Sequence, residues 1–552
     1  MSKPLALKLA PKCLDEIIGQ KHLIGKDKIL SNLVKNKKLF SMILYGKPGI
    51  GKTSIANAIV NDLGVRYRFL NATINNKLIN HYTYVLCGDG DLMEGVSYEA
   101  LSLAGKLKLN KLILFYDSNN ITLDGGLNLS FSESVKGRFI ASGWDVLEVK
   151  DGNDIRSIDK AIKVAKTSID KPTLIIVRTV IGYGSINQGT SKVHGAPLPH
   201  DEVVEMRQNL GTESFTIPQE VYDYYKNTFG ARGTKAYKKW LKQCKENDAS
   251  LIEKIINDEY TKEIDHVLPN FDESYLQPTR KAGGELLKAI ANNNASVIGG
   301  SADLASSCMA QGVDGDFSVE NRLGRHINYG VREHAMGAIT NGLAIHKLRS
   351  FASTFFAFVD YLKPAIRMSG LSHLPAVYIF SHDSIAVGED GPTHHPIEQL
   401  TMLRSIPNVD VIRPADANET KEAYKIAFTK KDSPTCIVLS RQVLPTFLKE
   451  EQTQVCKGAY IVSESEKEIP DGILLASGSE LSVTLEAKEL LKQEGLDIRV
   501  VSIPSTTLFD KQPKEYKEQY LSFQVFYPST LLQKVQQGLE ESKNTCTKNF
   551  LL

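Results

Sequence analysis

Asp89 lies between Gly88 and Gly90 in the octapeptide GDGDLMEG (Gly88 to Gly95), and Asn119 lies about thirty residues later in DSNNIT (Asp117 to Thr122). A carboxylate, an amide oxygen and the backbone carbonyl of Ile121 are hard oxygen donors. Together they would fill half of an octahedral Mg²⁺ shell and leave places for two diphosphate oxygens and a water. Gly88 and Gly90 carry no Cβ, so phosphates can come close to that backbone. A GDG tripeptide alone is as readily a solvated loop aspartate. The weight rests on whether the fold brings the two ligands together.

The flanking pattern says that it does. Tyr84 to Cys87 and Leu112 to Tyr116 are apolar runs of strand length, read here as buried strands, and Ser97 to Leu109 repeats Ala and Leu at helical spacing. Strand, turn, helix and strand form a unit in which both strand ends face one edge of a parallel sheet, so Asp89 and Asn119 converge there. Further along, Lys171 to Ser185 reads as a long buried strand and a glycine turn, and residues 200–275 read as charged helices connecting two αβ units. A second αβ unit starts at TRKAGGELL (Thr279 to Leu287).

GDG, about 28 residues, then an Asn pair, with Glu94 and the DSNNIT ending, resembles the transketolase family of thiamine diphosphate enzymes. The resemblance covers about residues 80–521. It continues through SKVHGAPL (Ser191 to Leu198), IGGSADLASS (Ile298 to Ser307), INYGVREHAMG (Ile327 to Gly337) and SHDSIAVGEDGPTHHPIE (Ser381 to Glu398).

The resemblance implies an α/β chain of parallel-sheet diphosphate- and pyrimidine-binding domains with a Rossmann-like third domain. The implied reaction moves a two-carbon ketol unit from a ketose phosphate to an aldose phosphate in pentose phosphate metabolism. Thiamine diphosphate and Mg²⁺ would be held by Gly88, Asp89, Gly90, Glu94, Asn119, His194 and Asp303. Glu333 matches the carboxyl group at the pyrimidine N1′, where protonation favours the imino tautomer that takes the thiazolium C2 proton. A helical Glu is ordinarily solvated, but Ala335, Met336 and Ala338 around this one suggest burial and a raised pKa.

Phe355, Phe358 and Tyr361 have the helical spacing of an ordinary core face, yet match the family's aromatic stack on the pyrimidine. Arg280, Ser307, His382 and Arg441 match its sugar-phosphate site, where a planar guanidinium suits phosphate. Asp390 and His394 match residues bonded to hydroxyls of the transferred carbons, with His194 and His394 beside Glu333 as catalytic residues. The family's cofactor lies between two chains, so a homodimer is implied.

The N-terminal part has a different character. Residues 1–80 carry 14 Lys and Arg against 4 Asp and Glu, about ten positive charges in a chain of net charge +2. GKPGIGKT (Gly46 to Thr53), between the apolar Met42 to Tyr45 and the helical Ser54 to Leu63, has full phosphate-loop spacing: Gly46, Gly49, Gly51, Lys52 and Thr53 would cradle ATP phosphates. With Pro4 to Gly25 it resembles a fragment of an AAA+ ATPase of the replication-associated recombination type. The partners that such hydrolysis needs are not recognisable before the GDG motif. Nucleic acid enters only by analogy with this basic segment.

The expected division is therefore 1–78 as P-loop fragment, 79–270 as diphosphate-binding domain without its usual start, 271–449 as pyrimidine-binding domain, 450–521 as a shortened third domain and 522–552 as unassigned tail. Loss of the family's early histidines leads us to expect impaired turnover. An ATP-binding, DNA-associated remnant and a non-functional chimera are the alternatives. Of 552 residues, 42% are hydrophobic and 24% charged, which excludes fibrous and disordered classes. Seven cysteines form no CxxC motif and no apolar run is long enough for a membrane, so a cytoplasmic protein is expected.

Overall fold

A computed structural model describes residues 78–521, except 213–215 and 247–248, together with five single positions nearer the start. The chain divides into two compact units, 1–76 and 77–552. The elements below belong to the second, and both Gly46 to Thr53 and the tail 522–552 lie outside the described residues.

The first layer is a four-stranded parallel sheet of β1 (Thr83–Gly88), β2 (Leu112–Ser118), β3 (Asp145–Val149) and β4 (Thr173–Arg178) in the order β1-β2-β4-β3. Helix α1 (Gly95–Lys106) crosses from β1 to β2. In β4, Thr173 to Val177 are buried as the sequence predicts, and Arg178 is exposed. The strand at Tyr84 to Cys87 forms, but it is not buried: Leu86 is 84% exposed, and Tyr84 and Val85 are exposed too. The reason is its place, because β1 is an edge strand with a neighbour on one side only among the described residues. Its apolar run satisfies the pattern of a central strand without the packing of one.

The second layer is a six-stranded parallel sheet in the order β9-β10-β8-β7-β5-β6, made of β5 (Val297–Ser301), β6 (His326–Asn328), β7 (Arg349–Phe355), β8 (Val377–Ser381), β9 (Asp410–Ile412) and β10 (Thr435–Leu439). Strands β7, β8 and β10 are buried along their whole length. Parallel strands covered on both faces need continuous apolar runs, and two separate core clusters line the two faces. Leu103 of α1 belongs to one of them, so the first layer packs on the second through α1.

The third layer is small. β11 (Tyr460–Ser463), β12 (Gly472–Ala476) and β13 (Ile498–Ser502) form a sheet in the order β11-β13-β12, with β12 parallel and β11 antiparallel to β13. Along the chain between β4 and β5, the described residues of 200–275 form helices such as His200–Leu210 and Ala231–Glu246, as their pattern predicts.

Candidate active site

In the register of β1 and β2, Gly88 pairs with Asp117, so Asp89 and Asn119 follow two adjacent strand ends on one sheet edge. Asp89 is buried. Its Oδ1 accepts from Tyr116 Oη and its Oδ2 from the Asn120 backbone N–H at 3.0 Å. Burial, and then the bond to Asp89, push the Tyr116 phenol up to about 12, which keeps it a donor. Asn119 Oδ1 accepts from the Ile121 N–H at 3.0 Å and turns the chain, with Asn120 left-handed at φ 63°. Each of these oxygens uses one lone pair and retains another. The donor set therefore fits Mg²⁺, and a Cβ added at Gly90 would meet nothing within 4 Å, which leaves room for an anion beside the backbone.

Glu94 stands exposed at the N-cap of α1. His194 follows a 3₁₀ turn (Ser191–Val193), and its Nδ1 is buried without a hydrogen-bond partner. A buried orphan nitrogen in a loop is a place where a ligand completes the bonding.

Glu333 opens helix α2 (Glu333–Ile345) and is buried, 8% exposed. Burial, followed by the charge of Glu99 on α1, raises its pKa, while a backbone hydrogen bond pulls it down. Ala335 and Met336 are fully buried as predicted, whereas Ala338 turns outward and is exposed, because it lies two positions past Met336 on the opposite side of the helix. Asp303, two residues beyond β5, is exposed with φ 62° and lines a cleft of about 750 Å³ with Ser102, Asn328 and Arg332.

The three aromatic residues do not share one helix, although their spacing predicts it. Phe355 ends β7, Phe358 closes a 3₁₀ turn and Tyr361 sits in the first turn of helix α3 (Val359–Leu371). They still form a row, because the chain turns between strand and helix: Phe355 and Phe358 stack at 6.2 Å and 12°, and Phe358 and Tyr361 lie 6.3 Å apart. Phe355 is buried and Tyr361 is 64% exposed.

His382 and His394 close on this row. The His382 ring is 3.8 Å from Phe355, and His394 is 5.2 Å from Phe358 at 71°. His382 is buried and left-handed at φ 63°, with Ser381 Oγ 2.9 Å from its Nδ1. Burial, then the positive charge of Arg280, lower its pKa to about 4, with Asp390 opposing and Arg441 and His394 adding to the shift. Arg280 Nη1 donates to the Ser307 carbonyl oxygen at 2.6 Å, and its buried Nε has no partner. So Arg280, Ser307, His382, Asp390, His394 and Arg441 gather at one end of the second sheet. Two guanidinium groups and an uncharged imidazole there concentrate positive charge, the kind of group that suits an anion.

Among the described residues, no hydrogen bond, ion pair or ring contact joins the Asp89–Asn119 loop to the Phe355–His394 group. Sequence reasoning missed three residues that surround and support the site without belonging to its binding groups. Tyr116 is hidden in the apolar β2 run, Glu99 looks like a surface helix residue, and Arg413 stands in the RPADANE stretch (Arg413 to Glu419), whose buried polar residues follow β9. Four charged or amide side chains in seven residues next to a strand are the signal that could have found Arg413.

The profile described as "Transketolase, thiamine diphosphate binding domain" matches residues 36–269, "Transketolase, pyrimidine binding domain" matches 277–446 and "Transketolase-like TK C-terminal domain" matches 458–540. The transketolase of Geobacillus stearothermophilus is 44% identical over 529 residues, 91% of this chain and 79% of that protein. The chain belongs to the transketolase family. The Staphylococcus aureus MRSA252 transketolase is 48% identical over 456 residues, covering 80% of this chain and 69% of its own length.

Among solved structures, the Campylobacter jejuni transketolase superposes with TM-score 0.76 at 42% identity, covering 81% of this chain and 69% of its own. A Pichia stipitis transketolase in complex with sedoheptulose 7-phosphate superposes with TM-score 0.75 at 40% identity, with 80% and 68% covered. The protein is thus a thiamine diphosphate enzyme of transketolase type, acting on sugar phosphates by two-carbon ketol transfer. The first profile match begins at residue 36, so Gly46, Gly49, Gly51, Lys52 and Thr53 fall within a transketolase match.

Proposed function

We propose that Asp89, Asn119 and the Ile121 carbonyl hold Mg²⁺ together with the diphosphate of thiamine diphosphate, with Gly88, Gly90, Glu94, His194 and Asp303 around it. When bound, the cofactor supplies a thiazolium carbon that carries the two-carbon unit. Glu333 presents its carboxyl group toward the pyrimidine, and burial, which raises its pKa, favours the protonated form that donates there. Phe355, Phe358 and Tyr361 form the apolar wall for the ring, and Tyr361 offers most of its surface to it.

Arg280, Ser307, His382 and Arg441 grip the sugar phosphate, while Asp390 and His394 orient the hydroxyls of the transferred carbons and His194 and His394 exchange protons with them. Residues 79–270 then bind diphosphate, 271–449 bind pyrimidine and sugar phosphate, and 450–521 support them. The observation that carries this reading is the convergence of Asp89 and Asn119 on adjacent parallel strand ends. The test is transfer between xylulose 5-phosphate and ribose 5-phosphate with Mg²⁺ and thiamine diphosphate. Turnover that survives Glu333→Ala overturns it.

Among the described residues the Asp89–Asn119 loop makes no hydrogen bond, ion pair or ring contact within one chain with the Phe355–His394 group, which supports a homodimer, and light scattering with cofactor present checks it. A cytoplasmic location is supported by six free cysteines among the described residues and by the lack there of any helix long and apolar enough to cross a membrane. For Gly46 to Thr53, the GxxxxGK[ST] spacing supports nucleotide phosphate binding. Fluorescent ATP analogue titration of the parent and Lys52→Ala tests it.

A further inference from the structure

Arg413 links the third domain to Asp383, the neighbour of His382. Arg413, on the segment after β9, is buried, and its Nε and Nη2 both reach Asp383 Oδ2 at 2.8 Å. Asp383 is itself buried and is the next residue after His382. The other edge of the guanidinium faces the turn between β12 and helix α4 (Glu480–Gln493). Nη1 donates to the Ser477 carbonyl oxygen at 2.9 Å and pairs with Glu480 Oε2 at 2.5 Å, and Nη2 donates to Ser479 Oγ at 3.2 Å.

The backbone fixes the same contact. The Gly478 N–H donates to the Arg413 carbonyl at 3.1 Å and the Arg413 N–H to the Pro504 carbonyl at 2.8 Å. A Cβ at Gly478, which has φ 62°, would lie 2.7 Å from the guanidinium carbon, so the turn is shaped to the arginine.

We propose that Arg413 is a positioning residue through which the third domain sets the sugar-phosphate site, by holding Asp383 and with it the backbone at His382. Three observations make the coupling specific. His382 has a left-handed backbone that a histidine adopts only when its surroundings fix it, and Asp383 lies directly beyond that strained position. The segment from Asp383 runs on to Asp390 and His394, so the clamp anchors the start of the loop carrying the other polar groups of the site. A buried carboxylate that loses its guanidinium must find water or another partner, and the nearest route is outward movement of residues 382–384. Arg is required because its planar fork serves Asp383 and the turn of the third domain at once, which a lysine ammonium cannot.

This inference rests on the reading of His382 as a phosphate-site residue. The experiment measures steady-state kinetics of the full chain with cofactor, using xylulose 5-phosphate and a phosphate-free ketol donor, for His382→Ala, Arg413→Met, Arg413→Lys and Ser479→Ala. Arg413→Met is expected to raise KM for the phosphorylated donor about tenfold. Its kcat should stay within threefold and its KM for the phosphate-free donor within twofold.

Arg413→Lys should recover part of the loss and Ser479→Ala should show a smaller rise of the same kind. Should Arg413→Met fold too poorly to assay, the Lys and Ala variants carry the same comparison. A merely structural role would lower the active fraction, hence apparent kcat, with both KM values unchanged, and that result overturns the proposal. If His382→Ala itself leaves both donors unaffected, the phosphate-site reading fails. If His382→Ala raises the phosphorylated donor's KM while all Arg413 and Ser479 variants do not, the clamp alone fails.

Discussion

The Ala335 backbone N–H donates to Glu99 Oε2 at 2.8 Å, so the helix leaving the GDG loop caps the helix that begins with Glu333. A carboxylate at a helix N-terminus satisfies an orphan donor. Here the same charge also stands next to Glu333 and, after burial, adds to the rise of its pKa. A carboxyl group whose folded pKa is raised holds its proton more tightly in the folded protein than in the unfolded chain. Stability is therefore intact below the ordinary value of 4.5 and is lost as pH rises through the raised value. Without cofactor, Glu333→Gln should match the parent in urea unfolding at acid pH and exceed it at pH about 7. Its turnover should fall by roughly 10² to 10⁴, the usual worth of proton transfer. A variant less stable than the parent at neutral pH contradicts the buried, raised carboxyl.

Asp89 receives two donors and retains lone pairs toward the open edge of the sheet. Asp89→Ala removes a proposed metal ligand, whereas Tyr116→Phe removes only one donor to it. Calorimetric titration with thiamine diphosphate and Mg²⁺ should show no measurable heat for Asp89→Ala. It should show weakened but measurable binding for Tyr116→Phe, a loss of at most roughly ten- to a hundredfold, since one hydrogen bond to a charged group is worth about 1.5 to 3 kcal/mol. Equal heats for parent and Asp89→Ala would remove the metal assignment.

Much of this was legible because parallel αβ units convert sequence spacing into position. Asp89 and Asn119 meet since each ends a strand of one sheet, and an apolar run with a glycine turn is enough to predict that. Glu333 and its buried neighbours were legible from the Ala and Met beside it. Phe355, Phe358 and Tyr361 were expected on one helical face but span a strand end, a turn and a helix, because spacing by three suits a helix as well as a strand leading into one. Edge exposure of Leu86 was not legible, since hydrophobicity reports what a strand could bury and not whether a neighbour covers it. Arg413 was invisible for a related reason: its partners, Asp383 and the Ser477–Glu480 turn, are 30 and more than 60 residues away.

The glycine pair in IGGSADLASS has a packing role that the sequence does not announce. A Cβ at Gly300 would run into the Ile327 carbonyl oxygen on β6, and one at Gly299 into the Phe351 carbonyl oxygen on β7. Both are backbone atoms in ladders and cannot step aside. Gly300→Ala should cost several times the roughly 1 kcal/mol that the same change contributes where space is free. Thermal unfolding checks it, and an unchanged midpoint would show that β6 is not held as described.

His382 is the group whose titration reports the proposed sugar-phosphate site. Its pKa is lowered to about 4 by burial first and Arg280 second, so at neutral pH it is an uncharged imidazole between two guanidinium groups. For a histidine with a lowered folded pKa, the unfolded chain binds the proton more tightly. Stability falls as pH drops below the ordinary 6.5 and keeps falling to about 4. Arg280→Met removes the second cause and leaves the first, so the His382 pKa should rise toward, but not reach, its ordinary value. Imidazole chemical shifts followed against pH read this directly. On the proposed reading the same substitution takes a charge-assisted donor from the phosphate, worth about 1.5 to 3 kcal/mol, or roughly ten- to a hundredfold in KM for the sugar phosphate. The two readouts must move together, because one guanidinium both repels the proton from His382 and attracts the phosphate. A raised KM with an unmoved His382 pKa would mean that Arg280 serves the phosphate from farther away than the structure places it.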